Sequence, residues 1–148
     1  MKDILHRVGI RSVSLDDVYD AVTTLDGLAG WWTTDTTGIT DLGGVIKFRF
    51  GPAGGFDMKV VELNPAKQVV WDVVDGPEEW IGTTVRWELK QEDDFTIILF
   101  SHEGWQDAVE FMHHCSTRWA TYLLSLKQFV ETGTGAPHPD EVEVSNWT

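Results

Sequence analysis

Between residues 107 and 131 apolar side chains recur at steps of three and four, and this single amphipathic run constrains the fold more than any other feature of the chain. Ala108, Phe111, Met112, Cys115, Trp119, Tyr122, Leu123, Leu126 and Phe129 share one face of a helix. At 1.5 Å per residue that helix would be roughly 37 Å long. Asp107 and Glu110 have the spacing of a capping box, and Gly133 supplies a stop. A rod of that length with one apolar stripe needs a broad apolar surface to lie on.

The surface is written upstream in a different period. Residues 4–13 read as a first strand. Ser14 ahead of Asp16 and Asp17 then caps a short helix carrying Val18, Val22 and Leu25, and a second short helical turn ends in the pair Trp31-Trp32. After a loop rich in threonine and glycine, alternation resumes over 45–50, 56–63, 68–74, 81–91 and 95–102, with Gly-Pro, Asn-Pro, Asp-Gly-Pro and Glu-Asp-Asp turns between the runs. Tight turns join antiparallel neighbours. The expectation is therefore α+β: a six-stranded, curved antiparallel sheet, two short helices, and one long C-terminal helix across the concave side. One domain over 1–132 is followed by a tail, 133–148, with no periodicity to bury, expected to be loose or only lightly docked.

A chain of 148 residues with 42% hydrophobic and 24% charged residues is the right size and composition for one domain with a sizeable core. Its formal charge of −13 repels a phosphate backbone or an anionic membrane surface, so nucleic acid is not an expected partner. Nothing in the sequence reads as a signal peptide or a membrane span, and the single Cys115 cannot pair internally; the expected compartment is the cytoplasm. Eight tryptophans stand out, because each indole buries much apolar area while its N–H still wants a partner, which suits a partly polar cavity as well as a core.

A straight helix over a twisted, curling sheet leaves space beneath it. Alternation turns Ile46, Phe48, Phe50, Met58, Val60, Trp71, Val73, Val85, Trp87, Ile98, Phe100 and His102 toward that space, facing Met112, Cys115 and Trp119. The tryptophans at 31, 32, 80 and 105 could form its mouth, with Trp31 and Trp105 the favoured pair, or could instead cover one end of the sheet or make a dimer patch. The expected ligand-contacting set is Trp31, Phe48, Phe50, Met58, Trp71, Trp87, Phe100, His102, Trp105, Met112, Cys115 and Trp119.

Several stretches together resemble a known family. Val13-Ser14-Leu15-Asp16-Asp17-Val18-Tyr19 and Leu28-Ala29-Gly30-Trp31-Trp32 are similar to the N-terminal signature of the SRPBCC superfamily, in its branch resembling the activator of the heat-shock ATPase (AHSA-like). Gly43-Gly44, the run from Val60 to Pro65, the strand 96–102 and Glu103-Gly104-Trp105 match that branch in the same order. The resemblance implies the helix-grip fold of START domains, the birch-pollen allergen (Bet v 1) and polyketide aromatase/cyclases, whose members bind hydrophobic ligands in a central cavity. It does not imply one reaction.

Of the residues able to do chemistry, His102 ends the last strand on the inferred cavity face, where it could bond a ligand, act as an acid or base, or simply anchor its loop. Tyr122 is a second candidate catalytic group; Arg49 sits on the opposite strand face and Glu62 near a strand end. Cys115 on an apolar stripe behaves as a small hydrophobe. His113 and His114 are adjacent and diverge by about 100° on a helix, so no metal site is expected, and no cofactor motif is present. The leading expectation is a binding protein for a small hydrophobic molecule, lipid-like or aromatic. An enzyme of the polyketide cyclase/dehydratase or hydrolase kind, and a co-chaperone-like module contacting a chaperone or a second copy of the chain, are the alternatives.

Overall fold

Alternation becomes seven strands in the computed structural model, which describes residues 1–11 and 14–147. Ser12, Val13 and Thr148 lie outside the described residues, so the end of the first expected strand is not described. The elements run β1 (Lys2–Arg11), α1 (Leu15–Thr23), α2 (Leu25–Trp31), β2 (Asp35–Gly38), β3 (Val45–Arg49), β4 (Gly55–Asn64), β5 (Gln68–Asp75), β6 (Thr84–Glu92), β7 (Phe95–Trp105) and α3 (Glu110–Thr132). All neighbouring strands are antiparallel, in the order β1-β7-β6-β5-β4-β3-β2. The six strands after α2 form one meander, and β1 closes its far edge by pairing with β7.

The sheet thus has seven strands where six are expected. The addition is β2, Asp-Thr-Thr-Gly, inside the stretch read as a loop. It carries no apolar alternation because it is an edge strand, held by main-chain pairing to β3 alone. Strand β6 also begins at Thr84 rather than 81, since residues 80–83 are used in a turn in which Thr83 N–H bonds the Trp80 carbonyl.

Both short helices are capped from the side. Ser14 Oγ accepts the Asp17 N–H at 3.2 Å, and Thr24 Oγ1 accepts the Gly27 N–H at 3.0 Å. The long helix departs from its expected start: it begins at Glu110 with Val109 as N-cap and no side-chain cap, so the Asp107–Glu110 capping box does not form. It ends as expected, on Gly133 in the left-handed conformation (φ 87°). At 23 residues α3 is about 35 Å long and buries Met112, Cys115, Trp119, Tyr122, Leu123, Ser125 and Leu126 against the sheet. Helix α2 approaches it closely because Gly30 has no side chain; a Cβ there would lie 2.4 Å from the Phe129 ring.

Residues 133–147 are docked rather than loose. His138 N–H bonds the Trp32 carbonyl at 2.8 Å, the His138 carbonyl accepts from Thr34 N–H at 3.2 Å, and Ala136 N–H bonds Ser125 Oγ at 2.8 Å. Ser125 Oγ in turn donates to the Trp31 carbonyl at 2.8 Å, which satisfies a hydroxyl buried in α3 and fastens helix, turn and tail together.

Candidate functional site

The residues that alternation turns toward α3 do face it, but over most of the sheet no space is left. Trp32 packs on Phe48 (centroids 4.3 Å apart), Trp119 (5.0 Å) and Trp71 (6.1 Å), and Trp87 meets Phe100 (5.0 Å), Trp71 (5.6 Å) and Trp31 (5.7 Å), mostly tilted or edge to face. Interiors pack to near-crystalline density, and these indoles are large enough to fill the vault themselves.

The hollow that remains lies toward one end, between the N-terminal half of α3, the β3–β4 hairpin and the turn before β6. It measures about 210 Å³. Phe50, Phe56, Trp80, Phe111, Trp119 and Trp147 line it with Trp32, while Tyr122, Cys115, His114 and Arg118 supply its polar atoms. On α3 the spacing 111, 115, 118, 122 explains the wall, because positions three and four apart share a face.

Of the twelve expected contact residues, Phe50, Cys115 and Trp119 line this hollow. Phe48, Met58, Trp71, Trp87, Phe100 and Met112 sit in the solid core, as do Trp31, Trp105 and His102. The favoured mouth pair is exchanged for its neighbours: Trp32 and Trp80 face the hollow, whereas Trp31 turns away and donates its indole N–H to the Ala21 carbonyl at 2.8 Å. Phe56, His114, Arg118 and Trp147 are the contributions sequence reasoning missed.

His102 is buried in a chain of hydrogen bonds outside the lining of the hollow. The Trp119 indole N–H donates to Nδ1 at 3.1 Å, which leaves Nε2–H to donate to Thr83 Oγ1 at 2.8 Å, and the Thr83 hydroxyl donates in turn to the Trp80 carbonyl. Both ring nitrogens are committed. Burial disfavours the charged imidazolium and pulls the pKa down from 6.5 to about 3, so His102 is neutral through the ordinary pH range. Its hydrogen bonds tie β7 to the turn before β6 and to α3.

Tyr122 does reach the hollow, with its hydroxyl donating to Glu141 Oε2 at 2.6 Å. Burial, then the bond to Glu141, raise its pKa, so it is a persistent donor and not a base. The Cys115 thiol is pushed by burial up to about 12, which leaves it protonated and unreactive. His114 Nδ1 bonds Ser145 Oγ at 2.7 Å, and His113 points outward. Among the described residues no three His, Cys, Asp or Glu side chains converge as a metal site. Arg49 pairs with Asp57 at 2.7 Å on the outer side of the sheet, and Glu62 accepts from Gln68, so neither enters the hollow.

One polar atom in the wall is short of a partner. Trp80 is 6% exposed, and its indole N–H has no hydrogen-bond acceptor beyond the Cys115 thiol that acts on it, a weak acceptor at best. A buried donor left in this state is costly, and a ligand acceptor would relieve it.

A long helix clasped by a curved antiparallel sheet, with an aromatic hollow at one end, defines a helix-grip protein of the START/Bet v 1-like kind. The family model described as Activator of Hsp90 ATPase homolog 1-like protein matches residues 12–131, and the chain belongs to that family. It is similar to the Aha1 dimer from Colwellia psychrerythraea at 44% identity and a TM-score of 0.83, over 91% of this chain and 100% of that one. A protein of Bacillus halodurans (22% identity, TM-score 0.71, 88% of this chain and 98% of that one) and CalU16 from Micromonospora echinospora (20%, 0.74, 93% and 71%) share the fold. No curated protein matches the chain. Among the described residues no helix is long and apolar enough to cross a membrane.

Proposed function

We propose that the protein binds a small aromatic or otherwise apolar molecule in the hollow between α3 and the β3–β4 hairpin. The observation that carries this reading is a 210 Å³ space walled by eight aromatic side chains, Tyr122 among them, with one buried indole N–H beside it that meets no better acceptor than the Cys115 thiol. An apolar cavity of about 150 Å³ is known to hold benzene, so this one suits a ligand of one or two rings rather than a long lipid. In this reading 1–132 is the binding module, 133–147 is an appended strap, and the protein works in the cytoplasm.

The enzyme alternative has little chemistry to draw on. His102 is locked in hydrogen bonds away from the hollow, the Cys115 thiol is held protonated, and Tyr122 is held as a donor. Titration of the intrinsic tryptophan fluorescence with naphthalene, flavonoid and fatty-acid probes tests the binding reading. Saturable one-to-one quenching by the ring compounds, weakened in Phe111→Ala, is expected; no saturable change with any probe would overturn it.

A second reading, contact with a chaperone ATPase, is favoured by the family description alone. It predicts that the protein raises the turnover of a purified Hsp90-type ATPase, and an unchanged rate at saturating protein would remove it.

A further inference from the structure

The wall of the hollow ends in a polar patch. Arg118 and Tyr122, one turn apart on α3, both line the hollow, yet both turn their polar heads to Glu141 of the strap. A single oxygen, Glu141 Oε2, accepts from the Tyr122 hydroxyl at 2.6 Å and from His138 Nδ1 at 2.8 Å, with an Arg118 guanidinium nitrogen 3.8 Å away. The guanidinium also donates to the Tyr122 oxygen, and its plane lies over the Tyr122 ring at 5.2 Å and the Phe50 ring at 6.0 Å. The side chains of Arg118 and Glu141 are only 20% and 11% exposed. Two hydrogen-bond donors from two segments, with the Arg118 charge at ion-pair distance, therefore converge on one carboxylate oxygen at the margin of an aromatic cavity. Glu141 is not itself part of the cavity lining; it reaches the two heads from the strap.

We infer that this cluster is a carboxylate receptor, that the ligand of the hollow is an aromatic carboxylate, and that Glu141 is its built-in competitor. This rests on the hollow being a binding site and adds the ligand class. The rings of such a ligand would lie among Phe56, Trp80, Phe111 and Trp119. Its carboxylate would take the Arg118 and Tyr122 donors as Glu141 withdraws. Charge-assisted bonds to guanidinium and phenol are the strong ones, and a planar carboxylate matches the guanidinium fork. The net charge of −13 opposes any anion at long range. Salt screens that repulsion beyond about 8 Å at physiological ionic strength, while Arg118 acts at contact distance. Displacing Glu141 also loosens the strap that carries Trp147 over the cavity, so entry of the acid and opening of the strap are one event.

The test compares two probes of the same shape, 2-naphthoate and neutral 2-naphthamide, on the full chain by tryptophan fluorescence. In the natural protein naphthoate should bind about tenfold more tightly than the amide. Glu141→Gln, which keeps the size and a hydrogen-bonding oxygen but gives up the competing charge, should raise naphthoate affinity by about tenfold. The amide should change by less than threefold. Arg118→Gln should erase the difference between the probes. In the unaltered protein, carbon-13 NMR should show the Glu141 carboxyl resonance moving on addition of naphthoate and not of the amide, a readout independent of whether any variant folds. Equal affinity for the two probes, with the Glu141 resonance unmoved, would overturn the carboxylate receptor and leave the apolar binding site standing. Failure of both probes to bind would overturn both.

Discussion

Two regions of the same vault, built from the same residue types, have opposite fates. Under the middle of α3, Trp31, Trp71, Trp87 and Phe100 meet edge to face, every one of them at most 2% exposed, and the helix and sheet are welded by rings. Toward the N-terminal end of α3, Phe50, Phe56, Trp80 and Phe111 stand around an opening of about 210 Å³ and share it with Arg118, Tyr122 and Trp147. Aromatic content alone therefore does not make a cavity. What separates the two regions is whether facing rings interlock, and how far the strands and helix diverge before the rings run out.

The sharpest way to break this comparison is to truncate one ring on each side. Trp87→Ala removes a ring touching Trp31, Trp71 and Phe100 and should cost about 3–5 kcal/mol in urea unfolding. Phe111→Ala, already facing open space, should cost less than half of that. Equal losses would mean that the two ends are packed alike.

His102 gives the next largest effect, and a signed one. Its pKa is about 3 in the folded protein and near 6.5 in the unfolded chain, so below 6.5 the unfolded state binds the extra proton. The stability it supports is complete above pH 6.5 and falls by about 1.4 kcal/mol per pH unit between 6.5 and about 3. Urea unfolding of the protein and of His102→Gln from pH 7 to pH 4 should show that slope in the first and its loss in the second. Parallel curves would mean that the imidazole is not held neutral by burial.

How far the sequence revealed each region follows from the physics of the signal. Alternation is a property of neighbouring residues, so Phe48, Met58, Trp71, Trp87 and Phe100 could be assigned to the inner face of the sheet without knowing anything distant, and all are buried there. The hollow depends on how ring volumes add up across elements far apart in sequence, and no local period reports that sum. Strand β2 escaped notice because main-chain pairing to β3, not side-chain pattern, holds it. The contacts of the strap leave no sequence pattern because single polar groups dock it: His138 to the Trp32 carbonyl, Ala136 to Ser125, Glu141 to Tyr122. Arg118 lies seven positions after Phe111 and four before Tyr122 on one helical face, but a charge in an otherwise apolar stripe carries no periodic signal of its own.

Smaller effects sharpen the contrast. With its thiol pushed by burial up to about 12 and only 3% of the residue exposed, Cys115 should stay unmodified by a disulfide thiol reagent at pH 8 over hours and react at once in denaturant; prompt reaction in the folded protein would mean that the thiol is not held protonated by burial. Trp147 is 44% exposed, and Trp147→Ala should change stability by no more than about 0.5 kcal/mol while speeding ligand release in stopped-flow fluorescence.

The location of the hollow can be read directly by crystallography under xenon pressure, because xenon enters dry apolar cavities without needing a polar partner. The structure predicts electron density for xenon among Phe56, Trp80, Phe111 and Trp119 and none among Trp31, Trp71 and Trp87. Xenon beneath the middle of α3, or nowhere in the protein, would contradict it.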